Sequence, residues 1–244
     1  DHYVVALGMR YGQPSIADAL QQLSSCQRLV VLPLFPQYSL AATESALNQT
    51  KLQIKKTGFI GDVLFIEDFF ADPGFIAAWV QLFQQHAIQD YHTLFSYHGL
   101  PVKQLDQAAG CAKQCTRLQS CPSIQAYNRR CYRAQCYATT EAIAGEMGWA
   151  PDQYTVAFQS RLGKLPWIQP YTEDMLTLLI DQGVSRLQVV CPAFVADCLE
   201  TLEEIGLRAH EQWCALGGEE LILIPCLNDT QAWVKAIIDM VTSV

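Results

Sequence analysis

Each short apolar run in this chain stops abruptly at a proline, a glycine or a polar turn. Leu29-Val30-Val31-Leu32 meets Pro33, and Val63-Leu64-Phe65-Ile66 meets Glu67-Asp68. Thr93-Leu94-Phe95 leads into Ser96-Tyr97-His98-Gly99-Leu100-Pro101, Tyr154 to Phe158 into Gln159-Ser160-Arg161-Leu162-Gly163, and Arg186 to Cys191 into Pro192-Ala193-Phe194. Runs this short and this apolar read as strands buried on both faces. Helix-length stretches lie between them. Strand, helix, strand, helix with short loops is the pattern of βαβ units and a parallel sheet.

The expected strands are 3–7, 28–33, 63–66, 93–98, 154–158, 186–191 and 220–225. The expected helices are 15–26, 41–56, 73–86, 128–147, 172–182, 196–205 and 230–242, with Pro73 in a first helical turn and Thr172 as an N-cap. A boundary near residue 90 would give two α/β units, 1–90 and 91–244, with a ligand cleft between them. Half of the 244 residues are hydrophobic and 16% are charged, enough apolar material for a sizeable core. A net charge of −8 argues against a general nucleic-acid binder. No run of apolar residues is long enough to span a membrane. A chain that opens on Asp1-His2 and then at once on what reads as a core strand is expected to lack its natural start.

In open α/β sheets, ligands sit beyond the carboxyl ends of the strands. His98 stands at such an end, and Gly99 beside it permits close approach. A neutral imidazole there could bind a metal or accept a proton. The bland alternative is a satisfied loop histidine. Asp197 and Glu200, three apart at the start of a helix, can face one side and follow another strand end. Asp197 alone is well explained as a helix cap near the dipole's positive end. Glu200 is less easily explained that way. Arg10, Tyr11, Tyr38 and Gln159-Ser160-Arg161 are ordinary loop residues taken singly. Together they put polar groups on one edge.

Five of the ten cysteines lie between Cys111 and Cys136. In a chain of this size, a local cluster points to metal rather than to a disulfide framework. No acidic residue occurs between Gln107 and Thr140, while Lys113, Arg117, Arg129, Arg130 and Arg133 do. Four thiolates on an iron–sulfur cluster or on zinc would gain from such cations. Cys26, Cys191, Cys214 and Cys226 read as buried small residues.

Five stretches resemble the signatures of ferrochelatase, in that family's order and over nearly the whole chain. They are Met9-Arg10-Tyr11-Gly12, Leu32 to Ser39, Phe95 to Pro101, Phe158 to Gly163 and Pro192 to Glu204. The resemblance covers roughly the family's last three quarters, without its opening strand and apolar lip. It implies two Rossmann-like chelatase domains: 1–90, and 91–244 with a cysteine-rich insert at 107–136. It also implies a cytoplasmic enzyme of haem biosynthesis that inserts Fe2+ into protoporphyrin IX, with no nucleic-acid partner. Monomer or homodimer, and peripheral contact with a membrane, are left open. His98 and Glu200 match the catalytic pair that meets the substrate iron. Arg10 and Tyr11 match residues lining the pocket on the iron side, and Tyr38 and Ser39 complete the substrate-binding set. Cys198 stands where animal enzymes have histidine, as in bacterial members.

Some members carry a [2Fe–2S] cluster, in certain bacteria on an internal insert like this one. Leu40 occupies the animal enzymes' single internal ligand position, which excludes the animal arrangement. Members without a cluster often keep a cysteine at the position of Cys136, leaving Cys111, Cys115, Cys121 and Cys131 as the expected ligands. The rival readings are a chelatase for coproporphyrin, another tetrapyrrole or another divalent metal, and a non-catalytic porphyrin- or cluster-binding protein.

Overall fold

The computed structural model of the chain describes residues 3–109 and 121–244. It is an α/β protein with parallel sheets flanked by helices. In the first part, β1 (Arg28–Val31) pairs in parallel with β2 (Asp62–Phe65), with α1 (Ile16–Gln22) and α2 (Ser45–Thr57) against them. In the second, β3 (His92–His98), β4 (Tyr154–Gln159), β5 (Arg186–Val190) and β6 (Glu220–Leu223) form one parallel sheet in the order β4-β3-β5-β6. β3 is central and entirely apolar or hydrogen-bonded, which is why it tolerates burial on both faces.

The side chains of β3 alternate between two helical layers, as the period of two requires. Phe95 and Tyr97 enter a large core with α3 (Pro73–His86), α5 (Tyr132–Met147) and α9 (Gln231–Thr242). That core holds Phe75, Trp79, Phe83, Ile143 and Trp233. Leu94 turns to the opposite face, against Leu176 and Leu179 of α6 (Thr172–Asp181) and Trp213 of α8 (His210–Ala215). α4 (Val102–Ala109) follows β3, and α7 (Leu199–Leu202) follows β5.

Several expectations need correction. Tyr3 to Leu7 is not a strand: no ladder partner lies beside it among the described residues, and Tyr3, Val5 and Leu7 are exposed. An apolar run without a neighbour to share its backbone hydrogen bonds does not become a strand. Thr172 does not cap α6. The capping position is Tyr171, and the Thr172 hydroxyl meets Ser96 Oγ at 2.7 Å. The single helices expected over 41–56 and 196–205 are each interrupted. π-helical turns occupy Leu40–Glu44 and Glu204–Ala209, wider windings that apolar periodicity does not reveal. Cys191 and Cys226 are buried, but Cys26 is half-buried and Cys214 is exposed.

Candidate active site

Because all four strands of the larger sheet run the same way, the loops after β3, β4 and β5 emerge on one edge. His98 closes β3. Its Nδ1 lies 2.6 Å from the Gly99 carbonyl oxygen. A carbonyl can only accept, so Nδ1 is the donor, and in the neutral tautomer that this bond selects Nε2 is the ring's acceptor. Among the described residues Nε2 has no hydrogen-bond partner. The ring sits between Trp167 and Phe194, at centroid distances of 6.4 and 6.0 Å. A side chain at Gly99 would meet the Gln159 carbonyl at 2.7 Å and the Trp167 ring at 3.2 Å. The glycine is therefore required by the neighbouring backbone and tryptophan.

Glu200 lies in the first turn of α7. The Cys198 thiol donates to its carboxylate, and this bond, with help from Glu200's own backbone N–H and the nearby His98, holds the acid below the usual carboxylate range. Glu200 is thus a carboxylate near neutral pH, within electrostatic reach of an imidazole whose Nε2 is open. Asp197 is elsewhere engaged. Burial would raise its pKa, but hydrogen bonds from Asn228, the Cys226 N–H and Thr201 outweigh that and lower it. It braces the loops after β5 and β6. Glu203 pairs with Arg208 at the surface.

A further acid, Glu204, organises the rim. Its carboxylate takes the Ser160 N–H at 2.7 Å and the Ser160 hydroxyl at 2.6 Å. Ser160 has φ +62°, a left-handed conformation uncommon outside glycine. Two charge-assisted bonds hold it there. Gln159 donates to the Glu200 carbonyl at 2.6 Å, so the loop after β4 also grips the helix carrying Glu200. Ser160 and Glu204 lie 44 residues apart, and nothing in local spacing connects them.

The first part contributes differently. The Arg10 guanidinium stacks on Tyr11 at 4.5 Å and Nε donates to Ser45 Oγ, while Tyr11 is exposed. Tyr38 and Ser39 are buried. The Tyr38 hydroxyl donates to Glu44 at 2.6 Å and its backbone N–H to Gln135 of α5 at 2.6 Å. Ser39 caps the π-helical turn through the Ala42 N–H. These two residues lie beneath the rim, where they join the two parts. Arg129 and Arg130, within the cysteine-rich segment, reinforce that junction. Arg129 forms a two-pronged pair with Asp68, and Arg130 pairs with Glu67.

Cys111 and Cys115 fall outside the described residues. Cys121 is half-buried, and Cys131 and Cys136 are buried. Arg133, fully buried in α5, donates from Nη1 to Cys121 Sγ at 2.9 Å and from Nε to the Gln169 carbonyl at 3.2 Å. Burial pushes the Cys136 thiol well up, which keeps it protonated. Among the described residues, no three or more His, Cys, Asp or Glu side chains gather as a metal site.

The ferrochelatase profile matches residues 1–244. The chain belongs to the ferrochelatase family. It is 50% identical over 237 residues to the ferrochelatase of Legionella pneumophila strain Corby, covering 97% of this chain and 71% of that protein. To the ferrochelatase of Coxiella burnetii strain RSA 493 it is 47% identical over 244 residues, covering 98% and 68%. Among solved structures it resembles SirB from Bacillus subtilis with Fe3+, at a TM-score of 0.59 and 11% identity over 95% of this chain and 78% of that one. That likeness speaks to the fold, a chelatase-type α/β arrangement. The chain is a metal chelatase of haem synthesis, inserting iron into protoporphyrin. Ferrous iron is its substrate. No helix among the described residues is long and apolar enough to cross a membrane.

Proposed function

We infer that His98 and Glu200 carry the metallation of protoporphyrin IX by ferrous iron. The observation behind this is the pairing of an imidazole with an open Nε2 and an ionised carboxylate on one sheet edge. Metallation removes two pyrrole protons and strips water from a hydrated cation. His98 Nε2 accepts a pyrrole proton or touches the incoming iron. Glu200 offsets the cation's charge and passes protons outward. Exposed Leu34 and Phe35 follow the end of β1, Leu162 and Leu165 follow the end of β4, and exposed Leu199 opens α7 beside Glu200. They supply apolar area for a flat macrocycle, and binding energy along its faces can be used to bend the ring. Arg10 and Tyr11 contact the substrate from the first part, while Tyr38 and Ser39 shape the wall from beneath. The same apolar rim fits peripheral contact with a membrane surface from a cytoplasmic enzyme. Residues 1–90 and 91–244 form the two domains, with α3 bridging them by packing on α5 and α9.

The cysteine-rich segment holds a [2Fe–2S] cluster on Cys111, Cys115, Cys121 and Cys131. Cys111 and Cys115 lie outside the described residues, and the support comes from Cys121. A fully buried guanidinium at Cys121 Sγ suits a sulfur that carries negative charge. Bound there, the cluster would cross-link the segment to the first turn of α5, and no step of metallation runs through it.

The test is anaerobic metallation of protoporphyrin by ferrous iron, followed by the porphyrin spectrum, with His98→Ala alongside. Haem formation lost in the variant supports the assignment. Metallation untouched by the substitution overturns it.

A further inference from the structure

The carbonyl of His98 lies past the end of the sheet on one side. β5 pairs with β3 only as far as Phe95↔Val190, so no strand supplies a donor to the β3 carbonyls beyond it on that side. The donor comes instead from Tyr132, the first residue of α5, whose hydroxyl reaches the His98 carbonyl oxygen at 2.8 Å. Tyr132 is buried, and Cys131 immediately before it is the helix cap position. Its neighbour Arg133 anchors the same turn to Gln169 and Cys121.

We propose that Tyr132 is a positioning residue for the metallation site: its hydroxyl fixes the His98 peptide, and so aims Nε2. The inference rests on His98 acting as proposed above. The imidazole is already tied through Nδ1 to Gly99, the very next residue. That bond sets the ring relative to its own backbone but does not set the backbone. Trp167 and Phe194 flank the ring without hydrogen-bonding it. The sheet holds this peptide on the β4 side only, where the Gly99 N–H donates to the Gln159 carbonyl at 2.8 Å; its own carbonyl, on the other side, has to be held from outside the sheet. Tyr132 does so from a helix pinned by a buried arginine, and thereby links the cysteine-bearing turn to the reacting end of β3.

A matched control exists on the same strand. Tyr97 is equally buried, and its hydroxyl meets Thr140 of the same helix at 2.8 Å. Tyr97→Phe removes the buried bond to Thr140, and Tyr132→Phe removes the bond to the His98 carbonyl together with one to the Cys136 thiol, so both should lower thermal stability. Only Tyr132→Phe should lower kcat, by about tenfold, with the KM for protoporphyrin within about twofold of the parent. In 15N-labelled-histidine spectra, Tyr132→Phe should shift the His98 ring signals, while Tyr97→Phe leaves them in place. If both variants lose stability and neither changes kcat or the His98 signals, Tyr132 is merely structural and the proposal is wrong. The reading beneath it fails separately, through a His98→Ala variant that still metallates porphyrin. The histidine spectra still decide the positioning claim in that case.

Discussion

β3 begins and ends with a histidine, and the two ends of the strand have opposite characters. At the amino end, His92 Nε2 lies 2.8 Å from Thr155 Oγ1, and burial holds its pKa below the ordinary value, opposed only by Asp152. The polar groups around it are mutually paired: Tyr91 with Glu220, and Arg186 with Glu219 at 2.8 Å. At the carboxyl end, His98 makes its one ring bond through Nδ1 and leaves Nε2 open beside an ionised Glu200. On the proposed reading, the same residue type on the same strand serves structure at one end and chemistry at the other. Strand direction decides which, because ligands of open parallel sheets sit beyond the carboxyl ends of the strands.

Substitution can break this contrast. His98→Ala should reduce metallation by roughly 10²–10⁴-fold, while His92→Ala should leave turnover within about twofold once the folded fraction is matched. Equal losses would abolish the distinction. Glu200→Gln keeps the shape and removes the charge. About a 10²-fold fall in kcat is expected, in the range for loss of a positioned proton-transfer group, and a change confined to KM would make the acid a binding residue only.

Smaller effects sharpen the contrast through stability. Glu204→Ala leaves the left-handed Ser160 without its two charge-assisted bonds and should cost about 1–3 kcal/mol in urea unfolding; an unchanged midpoint would mean the rim holds itself by other means. The smallest effect expected is a pH slope. The folded His92 titrates below the unfolded imidazole, so the unfolded chain binds the proton first as pH falls through about 6.5. Stability therefore declines on the acid side, and His92→Gln, which can keep a bond to Thr155, should make that decline shallower. An identical slope in the variant would place the acid sensitivity elsewhere.

The strands of the larger sheet were legible because uninterrupted apolar runs ending at Pro192, at Gly163's turn or at Gly99 have few other solutions. His98 and Glu200 were legible because both stand just beyond such ends. Tyr3 to Leu7 misled, since a run's composition says nothing about whether a pairing partner lies beside it. Glu204 and Tyr132 were missed for a different reason. Each acts on a backbone group far away in sequence, the Ser160 N–H and the His98 carbonyl, and such pairings carry no periodicity. Tyr38 and Ser39 follow the end of β1 in sequence, but their burial follows from Gln135 and Glu44, partners that only packing identifies.

The register of β3 against β4 runs unbroken from Thr93↔Tyr154 to His98↔Gln159, although the cysteine-rich segment and α5 lie between those strands in the chain. A parallel crossover needs only that its return strand arrive alongside, however long the excursion. Lineages could therefore gain, trim or rewire this excursion as a replaceable cassette, with each strand keeping its neighbours and the reacting edge keeping its shape. What the excursion carries is in this way uncoupled from the sheet edge beneath it.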